Sequence, residues 1–164
     1  MTLSVIIITK NEEQNIRACL ESVVWADEII VVDSGSSDNT VGICKELGAQ
    51  VHVMDWPGYG PQKNRALNLA TGDWVLSLDA DERVSSELHS EIQSAIANPV
   101  GAVAFRVPRS SSYCGRIMRH SGWWPDYGTR LFKRSHARFS DDLVHEHLIV
   151  EGKTATLKQP LLHE

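Results

Sequence analysis

Leu3-Ser-Val-Ile-Ile-Ile-Thr9, running into the polar group Lys10-Asn-Glu12, decides the fold. The run is almost entirely apolar and β-branched. It leaves no solvent-facing side, which is the pattern of a strand buried on both faces of a sheet. Helices must cover such a strand, and one is expected next: Ile16, Leu20, Val23 and Val24 recur at i, i+4, i+7 and i+8 and form a single apolar stripe.

The same unit then repeats. Glu28 to Val32 predicts a second buried strand opening into the turn cluster Asp33-Ser-Gly-Ser-Ser-Asp38-Asn-Thr40, where Asp38 is expected to cap a helix carrying Val41, Cys44 and Leu47 and ending at Gly48. Gln50 to Met54 predicts a third strand, Asp55-Trp-Pro-Gly-Tyr-Gly60 a loop, and Gln62 to Ala70 a helix stopped by Gly72. Trp74 to Asp79 reads as a fourth strand. Ser85 or Ser86 then caps a helix with Leu88, Ile92 and Ile96 on one face, Asn98-Pro99 ends it, and Ala102 to Val107 is a fifth strand. Buried strands alternating with amphipathic helices predict an α/β fold with a mostly parallel central sheet flanked by helices. Past residue 107 the pattern weakens into short extended pieces, including Arg130 to Lys133 and Leu148 to Glu151.

The chain has 164 residues, 42% hydrophobic and 23% charged, which fits one domain with a substantial core and excludes disordered, collagen-like and fibrous classes. The apolar runs are of strand length, far short of the roughly 18 residues of a membrane span. The first strand begins almost at Met1 with no basic leader before it, so a cytoplasmic location is expected. Cys19, Cys44 and Cys114 have no paired metal-ligand spacing; the first two fall among apolar helical residues and read as core. The net charge of −5 is unevenly spread. Residues 1–105 carry 6 basic against 15 acidic side chains, whereas residues 106–138 carry 8 basic against Asp126 alone. A basic, aromatic-bearing segment thus follows an acidic one. It reads either as a solvated face or as a surface for an anionic partner, and no nucleic-acid partner is expected.

In such sheets ligands bind outside the carboxyl ends of the strands. Four polar clusters fall there: Thr9 to Glu12, Asp33 to Asp38, Tyr59 to Lys63, and Asp79 to Glu82. None has the glycine spacing of a dinucleotide fingerprint or a P-loop. A carboxylate at the end of the second strand suits a ribose or base edge, and Asp33 stays open between that and a turn cap. Asp79-Ala-Asp81 is the most informative tripeptide, because i and i+2 side chains of an extended segment point the same way and can converge on one hard cation. Two carboxylates completed by phosphate oxygens are a typical Mg²⁺ or Mn²⁺ arrangement, although an isolated Asp-x-Asp is common on surfaces.

Ser4-Val-Ile-Ile-Ile-Thr-Lys-Asn-Glu-Glu, Ile30-Val-Val-Asp-Ser-Gly-Ser-Ser-Asp-Asn-Thr and Gly72-Asp-Trp-Val-Leu-Ser-Leu-Asp-Ala-Asp-Glu together resemble the family 2 glycosyltransferases of the GT-A fold, which use nucleotide-diphospho-sugars. Gly58-Tyr-Gly-x-Gln-Lys63-Asn-x-Ala, Arg130-Leu-Phe and Val144-His-Glu146 look like the lipopolysaccharide core branch that adds a β-linked glucose to an inner-core heptose. Members of that branch continue through a further helical stretch after a Leu-Leu-His segment, so the chain reads as a C-terminally truncated or short homologue. The expected layout is one GT-A domain over 1–164, with 1–107 binding the nucleotide-sugar and 108–164 on the acceptor side.

The resemblance implies an inverting, metal-dependent hexosyltransferase acting from a UDP-sugar onto a glycan or glycolipid, at or near the inner membrane surface. Thr9, Asn11 and Glu12 would border the nucleotide, Asp33 would accept from uracil or ribose, and Lys63 would lie near the nucleotide or diphosphate. Asp81 would bind Mg²⁺ or Mn²⁺, with Asp79 on the ribose or the metal. The acceptor hydroxyl then needs a base after the fifth strand. Glu146 in Val-His-Glu is favoured, and Asp141 and Asp142 are the alternatives. His145, His147 and His163 lack the H-E-x-x-H spacing of a zinc site and read as hydrogen-bonding or substrate-side groups. Trp123, Trp124 and Tyr127 with Arg130 suit an anionic sugar acceptor, since rings stack on sugar faces and arginine pairs with phosphate; Arg116, Ile117, Met118 and Arg119 suit an anionic membrane surface. A nucleotide-sugar-binding module without turnover is the alternative. A nucleotidyltransferase would need a Gly-rich basic loop after the first strand, which Thr9 to Glu12 lacks.

Overall fold

The structure, a computed structural model, describes residues 1–113, 116–117 and 126–163, with side chains described for 1–110 and 128–163. The predicted alternation is present as β1 (Leu3–Thr9), α1 (Ile16–Glu21), β2 (Glu28–Asp33), α2 (Thr40–Glu46), β3 (Gln50–Val53), α3 (Tyr59–Leu69), β4 (Trp74–Ser77), β5 (Glu82–Arg83), α4 (Ser86–Ala97) and β6 (Ala102–Tyr113). There follow β7 (Arg116–Ile117), β8 (Asp126–Lys133), a 3-10 turn at Arg134–His136, β9 (Ala137–Phe139), β10 (Leu148–Val150), β11 (Lys153–Thr156) and β12 (Leu161–His163).

Among the described residues one sheet has the order β3-β2-β1-β4-β8-β6-β12-β5, with β7 and β11 also paired to β6. Strands β3, β2, β1 and β4 run parallel, with Val5 level with Ile29 on one side and Leu76 on the other. The fifth predicted strand extends to Tyr113 and does not neighbour β4. Instead β8 lies antiparallel between them, setting Val75 opposite Phe132 and Leu76 opposite Leu131. All four of these side chains are buried, and their burial fixes this register.

The β1 side chains alternate between two cores. Val5 and Ile7 face Ile16, Leu20, Leu88 and Ile92 of α1 and α4, while Ile6 faces Ala66 and Leu67 of α3 together with Phe132 and Phe139. Burying a side chain of this size stabilises by about 1.5–3 kcal/mol, so the apolar run of β1 anchors both layers. Three local expectations are corrected. Helix α1 stops at Glu21, which leaves Val24 exposed. Asp38 sits one position before the α2 cap and accepts from the Thr40 amide and hydroxyl and from the Glu13 amide. Helix α3 begins at Tyr59 because its first N–H groups find partners in a distant loop. Ser85 caps α4 as expected, accepting from Leu88 N.

Candidate active site

A cleft of about 910 Å³ opens at the carboxyl ends of β1 and β4. Thr9, Lys10 and Glu12 form its floor, Asp79, Asp81 and Arg109 one wall, and Lys63, His145 and Glu146 the other, with Trp56 and Tyr59 at the rim.

The floor is tied to the loop after β2. Asp33 is fully buried and accepts from Thr9 Oγ1 (2.6 Å), Ser36 Oγ (2.6 Å), Gly35 N (2.9 Å) and Ser36 N (2.7 Å). Burial pushes its carboxyl up, but the bonds from Ser36 and Thr9 outweigh that and hold it below the ordinary value. These four donors use the acceptor capacity of one carboxylate, so Asp33 fixes the floor from beneath and does not line the cleft. Asn11, at φ 53°, likewise holds the loop, its Oδ1 accepting from Ser37 N at 2.8 Å. Glu12 does face the cleft. One of its carboxylate oxygens is buried without a hydrogen-bond partner, and burial, then the charge of Asp81, raises its pKa.

The acidic wall is built around Glu82, whose side chain is 0% exposed. It accepts a two-pronged bond from Arg130 (2.7 and 3.0 Å) and one from Asp79 N (2.8 Å), and Arg109 Nε lies 2.8 Å away. Asp79 and Asp81 project past it into the cleft. Asp81 Oδ2 lies 2.7 Å from His163 Nε2, because β12 pairs with both β5 and β6 and so brings its last described residue to the end of β4. Arg130, expected on the acceptor side, is instead turned under Asp79, since β8 runs antiparallel beside β4 and delivers residue 130 to the buried acid.

On the opposite wall Lys63 Nζ lies 2.6 Å from Glu146 Oε1, and each side chain is 17% exposed. Helix α3 carries the lysine and also holds the loop that carries the glutamate. Tyr59 N and Gly60 N donate to the carbonyls of Leu143 and Asp142, and the Asn64 side chain bonds both backbone groups of Phe139. Gly60 is required here, because a Cβ would collide with the Ser140 carbonyl. Asp141 and Asp142 are exposed and lie outside the cleft lining, Asp142 accepting from Ser140 Oγ.

The structure thus brings Thr9, Glu12, Lys63, Asp79, Asp81 and Glu146 to one cleft and leaves Asp33, Asn11, Asp141 and Asp142 behind or beside it. Trp123 and Trp124 lie outside the described residues, as do the side chains of Tyr127, Arg116 and Ile117, and Met118, Arg119 and Cys114 altogether. Cys19 and Cys44 are buried, and burial pushes both thiols up, that of Cys44 to about 11, which makes them unreactive core residues. Arg109 and Trp56 are cleft residues that the sequence reading did not assign, while Tyr59 falls in a cluster it placed at the strand ends and His163 is one of the histidines it read as a hydrogen-bonding or substrate-side group. Trp56 and Tyr59 meet edge to face at 4.8 Å and stay about half exposed. Among the described residues no helix is long and apolar enough to cross a membrane.

The comparisons with known proteins agree with this geometry. The model of Glycosyl transferase family 2 matches residues 4–151. The lipopolysaccharide core biosynthesis glycosyltransferase LpsC of Rhizobium meliloti is 31% identical over 170 residues, covering 99% of this chain and 63% of that protein. The chain spans 33% to 49% of the length of the uncharacterized glycosyltransferases it matches in Rickettsia species; the one from Rickettsia prowazekii is 51% identical over 144 residues, 86% of this chain. Among solved structures, S. aureus TarS 1-349 in complex with UDP superposes with a TM-score of 0.75 at 20% identity, covering 99% of this chain and 60% of that one. Glucosyl-3-phosphoglycerate synthase from Mycobacterium tuberculosis, in complex with Mn²⁺, UDP-glucose and phosphoglyceric acid, gives 0.55 at 29% identity, with 70% and 44% covered. The fold is GT-A. With a family match over nine-tenths of its length and a cleft at the strand ends where that family's three motifs meet, the chain belongs to glycosyl transferase family 2.

Proposed function

We propose that this chain carries the donor site and the base of an inverting glycosyltransferase that moves a hexosyl unit from a UDP-sugar to a glycan or glycolipid acceptor in lipopolysaccharide core assembly, on the cytoplasmic side of the inner membrane. The observation that carries the reading is that one cleft is lined both by Asp79 and Asp81 and by the Lys63–Glu146 pair. Its support from relatives is the likeness to LpsC and, for donor and cation, the UDP, UDP-glucose and Mn²⁺ bound by the structural neighbours. Residues 1–107 supply Asp79, Asp81 and Lys63 of the donor side, while 108–164 supply Glu146 on the acceptor side and also brace the donor wall through Arg109, Arg130 and His163, within a protein whose relatives are longer.

Two carboxylates at a strand end are hard oxygen donors of the kind Mg²⁺ and Mn²⁺ take. Among the described residues no group of three carboxylate, imidazole or thiolate side chains closes a cage there, so Asp79 and Asp81 fit a cation that is completed by phosphate oxygens. When bound, that cation offsets the charge of a diphosphate leaving group. Lys63 lies across the cleft, where its ammonium can pair with the donor's phosphates or with Glu146. Glu146 Oε1 or Oε2 takes the acceptor proton as the hydroxyl oxygen bonds to the anomeric carbon. The bond from that carbon to the phosphate oxygen breaks, its electron pair leaving with the nucleoside diphosphate. Trp56 and Tyr59 at the rim offer apolar ring faces beside this path. Incubation with radiolabelled UDP-glucose and a heptose-containing core oligosaccharide, with Mn²⁺ or with EDTA, tests the reading. Label in the acceptor only with Mn²⁺ is expected, and neither transfer nor donor hydrolysis under any condition overturns it in favour of a binding module.

A further inference from the structure

The acidic wall already holds a cation of its own. Arg109 reaches from β6 so that Nη2 stands 3.8 Å from Asp81 Oδ1 and 3.9 Å from Asp79 Oδ2, while Nε lies 2.8 Å from Glu82 Oε2. The Nε contact is a close charge pair without an aligned hydrogen bond, and the side chain lines the cleft with 26% of its surface exposed. Arg130 is placed differently. It forks onto Glu82 with two short bonds, donates to the Ser77 carbonyl, and is the more buried of the two. Arg130 is therefore fixed, whereas among the described residues the far end of Arg109 makes two long contacts, to the carboxylates that a divalent cation would use. The β6 backbone beneath it is locked, with Arg109 paired to Asp126 on one side and Leu161 on the other, and Nε is held against Glu82, so the part left to turn is the outer end of the guanidinium.

A guanidinium and a divalent cation cannot both sit against Asp79 and Asp81 at full strength, because each repels the other. Phosphate offers the guanidinium a better partner than two distant carboxylates, since its oxygens match the planar fork. We infer that Arg109 couples divalent-cation binding to diphosphate binding: without nucleotide it is the cleft-facing counter-ion shared by Asp79 and Asp81, beside Arg130 at 3.6 Å from Asp79 and His163 at 2.7 Å from Asp81, and on entry of a nucleoside diphosphate it turns to the phosphate oxygens and lowers the positive charge that opposes a metal at both carboxylates. The inference rests on the donor-site reading above. It adds a residue that gives the site an order of filling, with metal held weakly until the nucleotide arrives. By linkage, Mn²⁺ must strengthen UDP by the same factor as UDP strengthens Mn²⁺.

The test measures Mn²⁺ binding by electron paramagnetic resonance, with and without saturating UDP, and UDP binding by calorimetry without metal. The unsubstituted chain is expected to bind Mn²⁺ weakly alone and at least about tenfold more tightly with UDP. Arg109→Gln is expected to bind Mn²⁺ alone about five- to tenfold more tightly, to bind metal-free UDP several-fold more weakly, and to show a correspondingly smaller coupling factor. A merely structural role does not predict a gain in metal affinity. Arg109→Lys keeps the charge but loses the fork, so Mn²⁺ affinity alone should stay at the unsubstituted level while UDP affinity falls. This variant decides the matter should Arg109→Gln fail to fold. Unchanged Mn²⁺ affinity in Arg109→Gln, or unchanged UDP affinity in Arg109→Lys, overturns the inference and leaves the donor site standing. An unsubstituted chain that binds neither Mn²⁺ nor UDP overturns both.

Discussion

Lys63 Nζ and Glu146 Oε1 lie 2.6 Å apart although 83 residues separate them in the chain. An acid favoured as the base is thus held by the lysine expected near the diphosphate, so under the function proposed above one ammonium would face both the group that leaves and the group that takes the proton.

Glu146→Gln keeps size and much of the hydrogen bonding to Lys63 but removes the basic function. Transfer to acceptor should fall by roughly 10² to 10⁴ while donor affinity barely moves. Asp141→Asn and Asp142→Asn, whose side chains face solvent beside the cleft, should retain most activity. Near-normal turnover by Glu146→Gln in a steady-state assay would remove it from the role of base.

Asp81→Ala should bring UDP affinity in Mn²⁺ down to the level seen in EDTA. Its ion pairs with His163 and Arg109 are partly exposed, so the stability cost should stay within about 1 kcal/mol. Calorimetry with and without metal checks the first expectation and urea unfolding the second.

Glu82→Ala should be the most damaging of these changes to the fold. It strips two half-buried arginines of the buried acid they share and the Asp79 amide of its acceptor, and breaking a buried ion pair costs about 3–5 kcal/mol. A urea midpoint close to that of the unsubstituted chain would contradict this account of the acidic wall.

Asp33 makes stability depend on pH. Its folded-state pKa lies below its ordinary value of 3.8, so its contribution is complete above that value and is lost as pH falls below it towards the folded pKa. Asp33→Asn should lower the melting temperature at neutral pH and flatten the acid limb below about pH 4. Parallel melting profiles for the two proteins between pH 7 and pH 3 would show that the buried carboxylate is not linked to folding in this way.

Gly60→Ala should push the loop bearing Glu146 away from α3, because the added methyl meets the Ser140 carbonyl. A cost of about 1–3 kcal/mol is expected from such overpacking, with transfer falling far more than UDP affinity. Equal losses in both would place the loop on the donor side.

The strands and helices up to residue 107 were legible because burial on two faces and a 3.6-residue stripe are local patterns. The insertion of β8 beside β4 was not legible, since which strand fills an edge depends on partners more than fifty residues away. The acidic tripeptide announced itself in the same way, as a polar stop to an apolar strand. Arg109 did not, because nothing in its own neighbourhood marks it, and for His163 the sequence suggested a hydrogen-bonding role without its partner, which lies 82 residues away. The basic excess of residues 106–138 against the acids that precede it was the available signal, and it read either as a solvated face or as a surface for an anionic partner. Part of that charge instead neutralises the protein's own strand end through Arg109 and Arg130. Asp33 stayed open between a ligand role and a turn role because a carboxylate after β2 looks the same in sequence whether it meets a ligand or, as here, Thr9 and three donors of its own loop.

The pairing of Asp81 with His163 also sets an order of events in biosynthesis. The two are 82 residues apart, and at about 5–20 residues per second the ribosome delivers the histidine some 4 to 16 s after the aspartate. Arg109 and Arg130 arrive in the interval. A nascent chain paused before residue 109 therefore presents Asp79, Asp81 and Glu82 with none of these three partners, and the buried Glu82 cannot be enclosed until the arginines appear. Folding of the β4 end is in this sense a late step, timed by translation of β6, β8 and β12 and not by the strand that carries the acids.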